Sequence, residues 1–216
     1  MRSASLYRIG GNAMLAGALL YAVALLLHAP QPMDLAAYGA LAQGRWMAAH
    51  WLFAVGSVFV AGGMLALARH LFGTDGEGWA VLGLGANIVT AGLFVAIVAP
   101  EIVAFPVLAE MNAAAPSPGA EHAYTAVNLN LMSLVHVAAP LFWAGVVCYA
   151  LAMLRDAAWP RWLAQAGIAI GIVEILSGFV LGEKWLVFQL VFVLGCGWLA
   201  FTGYTLARMK GAPARK

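Results

Sequence analysis

Ala80-Val81-Leu82-Gly83-Leu84-Gly85-Ala86-Asn87-Ile88-Val89-Thr90-Ala91-Gly92-Leu93-Phe94-Val95-Ala96-Ile97-Val98-Ala99 runs for twenty residues without a charge, and Pro100-Glu101 follows at once. At about 1.5 Å of rise per residue such a helix is roughly 30 Å long, the thickness of the bilayer hydrocarbon. The stretch reads as a membrane span with a carboxylate at its end. Similar runs recur along the chain, where 64% of residues are apolar, 9% are charged and mean hydropathy is +0.89. This is the composition of an integral membrane protein. The pattern predicts one all-α domain over 1–216, a six-helix transmembrane bundle with spans near 10–29, 45–69, 79–106, 124–154, 161–182 and 185–208.

Basic residues collect on the cytoplasmic side of membrane proteins. Arg2, Arg8, Arg69, Arg155, Arg161, Arg208, Lys210, Arg215 and Lys216 fall on one side of the six-span layout, and only Arg45 and Lys184 on the other. Both termini are expected inside, with connections 30–44, 107–123 and 183–184 outside. The net charge of +2 reflects this bias and gives no reason to expect nucleic acid. The first apolar run lacks a small-x-small cleavage site before Pro30, so it is expected to be retained. Cys148 and Cys196 lie within spans and read as small apolar packing residues.

Between spans, Pro30-Gln31-Pro32 and then Met33-Asp34-Leu35-Ala36-Ala37-Tyr38 read as a short surface helix with Asp34 at its N-cap and Tyr38 at headgroup level. The segment Asn112–His122, with Pro116-Ser117-Pro118-Gly119, is expected to be irregular. A loop above a buried site can serve as its lid.

Each of four spans carries one ionisable residue at a similar depth below the outer face: His50, Glu101, His136 and Glu174. Their positions in the helices place them roughly 8–18 Å down. Hydrocarbon penalises such groups by roughly 2.5–3.5 kcal/mol on insertion scales, so they mark a candidate site. Helical spacing sets Glu174 on a face with Gly167, Gly171 and Gly178, and His50 on one with Ala54, Ser57 and Ala61. His136 shares a stripe with Ser133 and Pro140, near Asn128; Glu101 aligns with Ile97, Phe94, Thr90 and Asn87. All four are expected to face the bundle interior.

Two imidazoles and two carboxylates are a ligand set for iron, copper or zinc. Alternatively, His50 and His136 suit a bis-histidine haem b, with Arg45 and Lys184 available for its propionates. Either cofactor would support redox or metal-dependent chemistry on a lipid-soluble small molecule. Two other readings are a proton-coupled carrier using Glu174 and a noncatalytic accessory bundle among membrane lipids, with homo-oligomerisation open. His28, His70 and His122, at helix ends, are expected to be solvated, and Glu101 is a surface residue if Pro100 ends its helix. No nucleophile elbow, phosphate-binding loop or paired-aspartate signature appears, so whether the chain is an enzyme stays open.

Tyr7-Arg8-Ile9-Gly10-Gly11 and Trp159-Pro160-Arg161-Trp162-Leu163-Ala164-Gln165-Ala166-Gly167 resemble an uncharacterised family of small six-helix bacterial membrane proteins. The resemblance implies six spans and a bacterial inner membrane. It carries over no activity and no functional residue.

Overall fold

In the computed structural model of the chain the described residues are 4–41, 44–180 and 185–209, with backbone alone at 178–180 and 185–188. The elements are α1 (Ala4–Leu27), α2 (Leu35–Leu41), α3 (Arg45–Leu71), α4 (Glu77–Ala99), a π turn (Pro100–Ala104), α5 (Phe105–Ala114), α6 (Pro118–Met153), α7 (Arg161–Val180) and α8 (Trp185–Arg208). The stretches Ala4–Leu27, Arg45–Leu71, Glu77–Ala114, Pro118–Met153 and Gln189–Arg208 are long and apolar enough to cross a membrane. The chain is all-α, as expected from its periodicity.

The long helices pack on successive neighbours, α1 on α3, α3 on α4, α4 on α6, α6 on α7, α7 on α8 and α8 back on α1. Met14, Val60, Met64, Trp143, Tyr149 and Leu199 fill the space they enclose. Glycine permits a close approach of α1 to α8. A Cβ on Gly203 would stand 2.6 Å from the Gly11 carbonyl oxygen, well inside contact distance.

Pro100 does not end its helix. Lacking an N–H, it cannot bond to the carbonyl four residues back, and the chain widens into a π turn closed by Phe105 N–H on the Pro100 carbonyl. The helix then continues to Ala114. The loop expected over 112–122 shrinks to residues 115–117, because Pro118 starts α6 where its missing donor costs nothing. Ser117 caps that start by accepting from Ala120 N at 3.2 Å. Ser117→Ala should lower stability by about 1 kcal/mol, read as a shifted midpoint of thermal unfolding in mild detergent.

Residues 28–41 cross one end of the bundle as a strap ending in α2. Asp34 caps α2, accepting from Ala37 N at 2.7 Å, as its position before the apolar run suggests. At the opposite end His70 meets Asp156 at 3.1 Å and packs against Tyr7 and Trp159. His70 is therefore paired, contrary to the expectation of a solvated helix end.

Candidate functional site

Glu101, in the π turn, is 1% exposed, which places its carboxylate inside the protein. Gln31 Nε2 donates to its Oε1 at 2.8 Å, and the Trp46 indole N–H donates to its Oε2 at 3.1 Å. The Tyr38 hydroxyl donates to the Glu101 backbone carbonyl at 2.6 Å. Burial, with the nearby Glu101 charge adding to it, holds that hydroxyl above its ordinary value and so keeps it a donor.

The same strap is tied to α6. Gln31 Nε2 also donates to Asn128 Oδ1 at 3.0 Å, while Asn128 Nδ2 and the Tyr124 hydroxyl donate to the Pro32 carbonyl at 3.3 and 2.8 Å. Leu35 N donates to Glu121 Oε2 at 3.2 Å. Pro30 and Pro32, with fixed φ and no N–H of their own, keep this part of the strap out of a helix, which leaves the Pro32 carbonyl open to these partners. Leu35, Tyr38, Trp46, Phe105 and Tyr124 pack around the bonds without solvent exposure beyond 1%. Burial in low dielectric makes such a network costly to leave half satisfied.

His50 is 4% exposed, one helical turn below Trp46, and its Nδ1 lies 2.9 Å from the Trp46 carbonyl. The His28 ring centre is 5.0 Å from that of His50 and 4.6 Å from that of Trp46. His28 thus packs into the cluster and is half-buried, where a solvated helix end was expected. Tyr38, expected at headgroup level, is fully buried because Phe105 and Tyr124 close over it.

Of the four ionisable residues read from the sequence, His50 and Glu101 join this cluster through Trp46. Glu174 is buried on α7, 3% exposed, with its Oε1 making no bond among the described residues. Its inward face agrees with the Gly167 and Gly171 stripe, where added Cβ atoms would strike Trp198 and Val147 at 2.6 Å. His136 departs from expectation. It is exposed on α6, its Nδ1 2.7 Å from the Met132 carbonyl, because Leu131, Ala138 and Phe142 occupy the buried side of that helix. Arg45 is exposed at the start of α3, and Lys184 lies outside the described residues.

Among the described residues no three His, Cys, Asp or Glu side chains gather closely enough to hold a metal ion. His50, His136, Glu174 and Glu101 do not all come together in this arrangement, since His136 faces outward and both Glu101 oxygens accept from N–H donors. Cys148 and Cys196 are free thiols, as their span positions implied.

Gln31 and Tyr124 were missing from the sequence reading of the site. The signal available was a glutamine between two prolines beside an apolar helix, a polar group with few local partners. Compared with family models, curated proteins and solved structures, the chain matches none.

Proposed function

We propose that this chain is a six-span membrane carrier for a small solute, with residues 28–41 as a gate over its outer end and Glu101 as the latch. The observation that carries the reading is the convergence of Gln31, Trp46 and Tyr38 on one buried glutamate. A strap anchored in part by a titratable side chain is loosened by protonation or displacement at that one group, whereas one held by apolar packing alone is not. α7 supplies the sixth span, supported by its 20 residues and its place between α6 and α8. The termini are cytoplasmic, supported by the arginines at the end opposite the strap, and the membrane is the bacterial inner membrane, supported by the family resemblance.

The test uses Ile97→Cys in a chain whose Cys148 and Cys196 are replaced by alanine. Ile97 lies under the strap, one helical turn from Glu101 and against the same apolar cluster. A charged, membrane-impermeant thiol reagent should label it slowly, and at least tenfold faster when Gln31→Ala is added. Equal rates would overturn the gate. The full burial of Tyr38, Phe105 and Tyr124 favours a second reading, a permanent structural clasp. Under that reading the thiol stays unreactive in every variant that folds.

A further inference from the structure

Below the histidine cluster, α1, α3, α4 and α6 enclose a second polar feature. Tyr21, Ser57, Asn87 and Thr90, with Phe94 and Phe142, line a half-open cavity with room for about one water molecule. Asn87 is 6% exposed and Thr90 1%. All four polar residues belong to stretches long and apolar enough to cross a membrane.

Counting protons shows what the cavity wants. Ser57 gives its only hydroxyl proton to the Phe53 carbonyl at 2.8 Å, so in its 2.9 Å contact with Tyr21 the phenol must be the donor. Thr90 gives its proton to the Ala86 carbonyl at 2.8 Å. Asn87 gives one amide proton to the Gly83 carbonyl at 3.0 Å, with its nitrogen against Gly145, where a Cβ would collide with it. Asn87 Oδ1 accepts nothing from the described residues. The lining therefore offers oxygens from Tyr21, Ser57, Thr90 and Asn87 as acceptors and at most one Asn87 N–H as a donor.

An acceptor-rich lining selects an occupant that donates. A bare cation would also satisfy the oxygens, but no carboxylate lines the cavity to offset its charge, and hydrocarbon penalises a charged group by roughly 2.5–3.5 kcal/mol on insertion scales. Immobilising one water costs about 0–2 kcal/mol and returns two donated bonds. We propose that this cavity is an intramembrane binding site for one small uncharged hydrogen-bond donor, with water as its resident occupant. The site stands independently of whether the strap opens.

The experiment is water-edited solid-state NMR on the full chain in lipid bilayers, with water protons as the probe and the side chains of Tyr21 and Thr90 as reporters. Rapid transfer from water to both is expected, falling at least severalfold at Tyr21 in Thr90→Val and at both reporters in Asn87→Leu. A third variant, Ser57→Ala, removes one acceptor with little change in shape and guards against a misfolded result. No transfer in the wild type, while exposed Tyr204 shows it, would overturn the proposal by making the cavity dry. Shifts at Tyr21 and Thr90 that follow sodium but neither potassium nor choline would overturn it differently, by making the site a cation site.

Discussion

Glu101→Leu should lower stability by about 2–5 kcal/mol, because it strips an acceptor from two donors at once. Among the described residues, the buried Trp46 indole N–H loses its only acceptor, and Gln31 Nε2 keeps only its bond to Asn128. Leaving a buried donor unsatisfied costs about 1–3 kcal/mol. That loss is a large share of the 5–15 kcal/mol typical of a whole domain. Glu101→Gln should cost less, since its amide oxygen still accepts from one of the two while its nitrogen faces the other. Thermal unfolding in mild detergent, followed by tryptophan fluorescence, orders the three proteins. A leucine variant as stable as the wild type would mean that the strap is held by packing alone.

Gly11→Val is expected to separate α1 from α8 and to cost about 3 kcal/mol, at the upper end of overpacking penalties. A Cβ on Gly11 would lie 2.5 Å from Ala207 N and 2.8 Å from Ala207 Cα. Both are backbone atoms, so no side-chain rotation relieves the clash, and ordinary contact requires about 3.5–4.0 Å. Gly62→Ala is the matched control. An added Cβ there meets nothing within 4 Å, and alanine favours the helix by about 1 kcal/mol over glycine. Unfolding midpoints should fall for the first variant and hold or rise for the second. Equal midpoints would show that α1 and α8 do not depend on this approach.

The contrast between these two glycines could not be read from sequence. Gly11 and Gly62 both sit in apolar helices beside another glycine, Gly10 and Gly63 respectively. Only the neighbour across the interface separates them. The same limit applied to His136. Its stripe with Ser133 and Pro140 is real on its own helix, yet the packing of α6 on α4 and α7 turns that stripe outward. A helix apolar on every side, as membrane helices are, carries little information about which side a partner will cover. Glu101 was legible because Asn87 and Thr90 mark one side of α4, and Glu174 because glycines mark one side of α7. Gln31 was not, because its partners Glu101 and Asn128 lie 70 and 97 residues away.

Sequence alone determined that this protein is all-α, that it has helices long and apolar enough to cross a membrane, and that ionisable residues lie within them, because length and hydropathy are properties of each segment by itself. Tertiary structure decided that a proline-flanked glutamine bonds to a glutamate in a π turn, that His136 faces outward, and that four polar side chains line a half-open, water-sized cavity. Those outcomes depend on how each helix is rotated against its neighbours, and that rotation is set by side-chain packing between segments far apart in the chain.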